Sequence, residues 1–156
     1  MTRIDPMKRA LLKLFGLAAL GGCASAMGEG RSVSAVVINY TDRYIADVSV
    51  NGRWAGSANA YGGEGNRVEG FLAPRETDKK VVLKVKWIVA DTYDIATNKY
   101  TRKPDESRQV DVELSRPYPS NPSYLILHFF PDGHVEVELS ADRPARKIPK
   151  PAGYHR

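Results

Sequence analysis

The sequence predicts an all-β protein: an antiparallel β-sandwich of roughly the size of an immunoglobulin domain, with a barrel as the alternative. Three observations carry this. Apolar and polar residues alternate with period two in successive segments, turn-forming residues separate those segments, and nothing after the N-terminal stretch has helical periodicity. Six or seven strands fit in about 110 residues of this kind.

The N-terminal stretch is of another type. Met7-Lys8-Arg9 and Lys13 supply a basic start, Leu11 to Leu20 an apolar run, and Gly21-Gly22 lead into Cys23, the only cysteine. That order predicts a lipoprotein signal peptide over 1–22, cut so that Cys23 becomes a lipidated N-terminus. Acyl chains contribute ~0.8 kcal/mol per buried methylene, so a multi-chain anchor at Cys23 is effectively permanent. The run is shorter than the ~20 apolar residues of a spanning helix. Cleavage as an ordinary signal peptide after Ala24-Ser25-Ala26 is the alternative to lipidation. With Ala24 and not Asp after the cysteine, the expected location is the periplasm, anchored to the outer membrane. Residues 23–31 read as a flexible tether, 32–142 as the sandwich, and 143–156 as a Pro- and Lys-rich tail that is extended or disordered.

Removing the signal changes the charge. Four of the 23 Lys and Arg residues (Arg3, Lys8, Arg9, Lys13) and one of the 18 acidic residues (Asp5) precede Cys23, so the formal charge drops from +5 to +2. No basic block of the kind that tracks a phosphate backbone is left, and no nucleic-acid partner is expected. A single cysteine allows no internal disulfide.

Val33 to Ile38 reads as the first strand. Tyr44 to Val50 follows, with Ala46, Val48 and Val50 on one face. Asn51-Gly52 then supplies the two positive-φ residues of a type I′ turn, so Val50 should face Arg53 and Val48 should face Ala55. Lys80 to Val89 places Val81, Leu83, Val85, Trp87 and Val89 on one face and Lys84 and Lys86 on the other. Arg108 to Leu114 repeats this, with Val110, Val112 and Leu114 inward. In the last hairpin, Phe130-Pro131-Asp132-Gly133-His134 suits a three-residue loop, pairing Phe129 with Val135, Leu127 with Val137 and Leu125 with Leu139. Two connections are long, Asn59 to Gly70 and Asp91 to Ser107. Trp87 reads as core, and Trp54 as core on the other face or partly exposed.

Candidate chemistry is sparse. The register sets His128 across from Glu136 on the solvent face, a pairing that more often makes an exposed cross-strand contact than a metal or general-base site. His134 is near the turn and His155 near the C-terminus. Gly56-Ser57 lacks a nucleophile elbow, and Asp105-Glu106 and Glu136/Glu138 are exposed carboxylates. Gly62-Gly63-Glu64-Gly65 lacks the Lys-Ser/Thr and helix of a phosphate cradle. The expectation is a non-enzymatic protein with no metal and no cofactor. Loops on a rigid scaffold carry recognition, and Tyr61, Glu64, Arg67, Tyr93 and Tyr100 are the aromatic and charged anchors that a protein interface favours.

Asn39-Tyr40-Thr41-Asp42-Arg43-Tyr44-Ile45, then Val50-Asn51-Gly52 and a glycine-rich stretch, followed by Lys84-Val85-Lys86-Trp87 and His128 to Gly133, resemble DUF3304, a family of small proteobacterial lipoproteins. The resemblance covers most of Val33 to Ala145. The family pattern has a cysteine pair after the glycine-rich stretch. Val68-Glu69-Gly70-Phe71-Leu72 stands there instead, so any disulfide or metal role of that pair is missing. The resemblance implies, through gene neighbourhood, an immunity protein that binds and neutralises a lipase-type effector of type VI secretion. The alternatives are a structural or assembly lipoprotein of the envelope or secretion apparatus, and a carbohydrate- or lipid-binding sandwich with Trp54 and Tyr61 as an aromatic platform.

Overall fold

The computed structural model describes residues 30–155; the signal segment, Cys23 and residues 24–29 of the tether lie outside them. Nine strands follow in order: β1 (Gly30–Asn39), β2 (Arg43–Val50), β3 (Arg53–Ala58), β4 (Val68–Pro74), β5 (Val82–Asp94), β6 (Lys99–Thr101), β7 (Glu106–Glu113), β8 (Tyr124–Phe129) and β9 (Val135–Ser140). They form two packed sheets, β4-β1-β8-β9 and β3-β2-β5-β6, with β7 beside β6 on the free edge of β5. There is no closed barrel, and no helix among the described residues is long and apolar enough to cross a membrane. Every pair is antiparallel except β1 with β8, whose parallel register runs from Ser34↔Tyr124 to Asn39↔Phe129. Period two alone carries no strand direction, so this pair was not legible.

The inward faces are those the alternation predicts. Val81, Leu83, Val85, Trp87 and Val89 are all buried, as are Leu125, Leu127, Phe129, Val135, Val137 and Leu139. The final hairpin has the predicted register, with Phe129↔Val135, Leu127↔Val137 and Leu125↔Leu139. Its loop closes through Phe130 and His134, and through the Gly133 N–H to Phe130 O at 3.0 Å. Asn51 and Gly52 take φ of 51° and 81°, the left-handed pair a type I′ turn demands, and Val50 faces Arg53.

Beyond that turn the expected register fails. Asp47 has φ of 45° and the β2–β3 and β2–β5 ladders both shift beside it. This bulge turns Ile45 inward in place of Ala46 and sets Val48 opposite Gly56, not Ala55. Val110 is 36% exposed although it faces the sandwich side, because β7 lies at the edge of the wider sheet; Leu114 beyond it is fully buried. The two long connections are partly structured, since Val68 onward is β4, and Asp91 to Ser107 holds the end of β5, all of β6 and the start of β7.

Trp87 packs edge-on against Phe129, with ring centroids 5.2 Å apart, whereas Trp54 is 54% exposed. Replacing Trp87 by Ala is expected to destabilise by about 3–5 kcal/mol and Trp54 by Ser by no more than about 0.5 kcal/mol. Urea denaturation of the two variants checks the contrast.

Candidate functional site

Strand directions sort the loops into two ends. β1 starts at Gly30, paired with Pro74, and shares that end with the Asn51-Gly52 turn, residues 75–81 and residues 114–123. The opposite end collects residues 40–42, 59–67, 95–98, 102–105 and the 130–134 turn. Four of the five residues singled out as partner anchors, Tyr61, Glu64, Tyr93 and Tyr100, belong to this second end; Arg67, next to the Val68 that pairs with Ala35, lies midway along the sheet.

Asn39 ties the loops there together. It is wholly buried; its Nδ2 donates to Arg43 O at 2.6 Å and Asn59 O at 3.0 Å, and its Oδ1 accepts from Thr41 N and Thr41 Oγ1, both at 2.8 Å. Next to it the Asn39 N–H donates to Gly62 O at 2.8 Å, and Tyr61 N to Thr41 O at 3.0 Å. Gly63 sits so close to β1 that a Cβ would lie 1.8 Å from Val37 O, at φ of 115°. The glycine-rich segment is therefore packed against the sheet and does not hang free.

The C-terminal tail then crosses the outer face of the β4-β1-β8-β9 sheet and ends among these loops. Arg146 Nη1 donates to Glu64 at 2.9 Å and Tyr61 O at 3.1 Å, Nη2 donates to Asn39 O at 3.3 Å, and the guanidinium lies over the Tyr40 ring. Tyr154 meets both Tyr61 and Tyr93 edge-on, with centroids 5.6 and 5.7 Å apart. Tyr93 is buried and tilts against Tyr100, whose Oη accepts from Ala60 N at 2.9 Å. Four of the expected anchors, Tyr61, Glu64, Tyr93 and Tyr100, are thus brought into one cluster whose contacts include the chain's own tail. Arg67 stands apart, exposed, with its guanidinium over Tyr124. Burial raises the carboxyl of Glu64, but bonds from its own main chain and from Arg146 win and hold it below the usual range.

His128 departs from expectation. It pairs with Glu136 as the register requires, but its ring is completely buried instead of facing solvent, because the tail covers that face. Lys147 N donates to Tyr40 Oη at 2.9 Å, and Tyr40 Oη lies 2.8 Å from His128 Nδ1. His128 Nε2 is 3.1 Å from Glu138, whose other oxygen is 3.1 Å from Lys147 Nζ. Donors and acceptors match around this ring when Tyr40 donates to Nδ1 and neutral His128 donates from Nε2. Burial pushes the His128 pKa below its ordinary value against the opposing pull of Glu138.

The sign follows. A neutral buried His128 contributes stability that is complete above about pH 6.5 and is lost as pH falls through its lower folded value. Exposed His134 acts oppositely: its bond to Asp132 raises its pKa, so its contribution is complete below about pH 6.5 and lost as pH rises through the raised value. In an NMR titration His134 should titrate above pH 6.5 and His128 should stay neutral to well below it. A His128 midpoint at or above 6.5 overturns the ring.

A second feature at this end is a cleft of about 140 Å³ between the sheets. Ile45, Trp87, Val89 and Phe129 form its floor, Phe130 and Pro131 a wall, and Thr41, Asp42, Arg43, Arg108 and His134 its rim. Arg43 Nε donates to Ala90 O at 2.5 Å, and Glu106 bridges Arg43 and Arg108 at 3.4 and 2.8 Å. Arg43 Nη2 is buried with no acceptor in reach among the described residues.

Sequence reasoning missed Asn39, Tyr40, Arg146, Lys147 and Tyr154. The available signal was the pair Glu136 and Glu138 on one outward face and two adjacent cations downstream. Trp54 and Tyr61 lie at opposite ends of β3, so they make no shared platform. No group of three or more His, Cys, Asp or Glu among the described residues is placed to hold a metal. No curated protein and no solved structure matches the chain. The family described as protein of unknown function (DUF3304) matches residues 38–137, which hold the Asn39 to Arg43 bracket, the cleft, the β2–β3 hairpin and the final hairpin as far as Val137. With well over half of its length matched, the chain belongs to the DUF3304 family.

Proposed function

We propose that this protein is an envelope lipoprotein that binds a secreted toxin, of the lipase-type effectors of type VI secretion, and blocks it in the periplasm. The observation that supports the reading is the polarity of the domain: the chain enters the sandwich at Gly30, and Tyr61, Glu64, Tyr93 and Tyr100 gather at the other end, with exposed Arg67 on the flank between. A lipid on Cys23, within at most about 25 Å of Gly30 along the chain, would hold the first end at the membrane and present the second outward. Inhibition by one-to-one binding asks for no catalytic group, only a rigid surface. Asn39 and the tail supply rigidity to these loops.

The test is retention of partners from secreted and envelope extracts of the same species on soluble 24–156. One stoichiometric lipase-like protein, whose affinity falls at least tenfold with Arg67→Glu while the fold is kept, supports the reading. Recovery of envelope or secretion-machine subunits alone favours an assembly lipoprotein. Separately, Cys23→Ala should move the full-length protein from the membrane fraction to the soluble one.

A further inference from the structure

We propose that the cleft between the sheets is an anchor pocket for one aromatic side chain of a protein partner, whose main-chain carbonyl is received by the guanidinium pair Arg43 and Arg108. This rests on the partner-binding reading and names the contact through which it works.

Size argues first. The cleft measures about 140 Å³, and a cavity of roughly 150 Å³ lined by apolar side chains accommodates benzene. It holds one ring and little more. Its lining argues next: buried Ile45, Trp87, Val89 and Phe129 form the floor, and Phe130, stacked on His134 with centroids 4.1 Å apart, closes one side. Aromatic edges and faces on several sides favour an aromatic occupant over a branched aliphatic one. The mouth is open, since the His134 and Arg108 side chains are 49% and 45% exposed.

The rim decides the polarity of the occupant. Arg43, Arg108 and His134 are matched by Asp42, Glu106 and Asp132, so the rim has no excess charge to draw in a free anion or cation. What it has is donors. Arg43 Nη2 is without an acceptor, and leaving a buried donor unpaired is costly enough that native structures seldom do so. The Arg43 side chain is 21% exposed and Glu106, which pairs with its other terminal nitrogen, is 48% exposed, so a shift of Glu106 opens Nη2 to a neutral carbonyl. A peptide aromatic residue brings a ring and neutral carbonyls together. A buried aromatic in a desolvated pocket is also the commonest energetic centre of a protein interface.

The test uses N-acetyl-phenylalanine amide as probe, with N-acetyl-alanine amide and benzene as controls, followed by NMR of Trp87, Ile45 and His134 in the folded protein. The expected result is saturable shifts at all three residues with the phenylalanine amide, at millimolar affinity, and none with the alanine amide. Arg108→Ala, an exposed change on an edge strand, should weaken binding about fivefold to tenfold, and Val89→Phe, which fills the floor, should abolish it. Absence of saturable shifts overturns the pocket. Benzene binding as well as the phenylalanine amide, with no effect of Arg108→Ala, overturns the carbonyl contact. Since no toxin enters this experiment, a negative result removes the pocket alone, whereas an empty partner screen removes the partner-binding reading and leaves the probe result standing.

Discussion

Ending the chain at Pro144 is expected to lower the unfolding free energy by at least about 3 kcal/mol and the melting temperature by about 10 °C. The deletion takes away the Lys147 N–H that Tyr40 Oη accepts, the ammonium that Glu136 and Glu138 share, and the guanidinium that Glu64 and two main-chain carbonyls accept from. It also uncovers a second apolar cluster, Val36, Ile38, Tyr40, Ile126 and Phe130, on the outer face of the first sheet. Urea denaturation and dye binding to exposed apolar surface check this. A midpoint within experimental error of the full chain would mean that the tail merely rests on the sheet.

Asn39→Leu is expected to be worse, at about 4 kcal/mol or outright unfolding. Leucine fills the volume, but Thr41 N loses its acceptor, and Arg43 O and Asn59 O each lose one of two donors, keeping only Thr41 Oγ1 and the Gly62 N–H, around a side chain that is itself wholly buried. Each orphaned group costs about 1–3 kcal/mol. Thr41→Val removes one hydroxyl from the same network and should cost only about 1 kcal/mol. The ratio between the two, read from urea midpoints, separates a bracket centred on Asn39 from a general sensitivity of the loop.

Much of the fold was legible because burial of one face of a sheet imposes period two, and turn chemistry imposes register. Leu125, Leu127 and Phe129 against Leu139, Val137 and Val135 could be paired by counting outward from Asp132-Gly133, and Val81 to Val89 could be assigned a core face without knowing its neighbours. The bulge at Asp47 was not legible, since a non-glycine residue at positive φ leaves no mark in an apolar pattern. Nor was the direction of β8 against β1.

The candidate site was read only in part. Tyr61, Glu64, Tyr93 and Tyr100 were chosen for residue type and loop position, and the structure does gather them; but cations in a Pro-rich tail look alike whether solvated or paired. Their pairing depends on which outward face the tail crosses. By itself the sequence determined the class of fold, the inward face of most strands and two turns, because these follow from interactions within a few residues. The tertiary structure alone decided that His128 is buried and neutral, that Asn39 holds two loops and the tail, and that Arg43 and Arg108 rim a cleft over Trp87. Those outcomes depend on groups 19 to 107 positions apart in the chain meeting where water is excluded, and local pattern carries no record of that meeting.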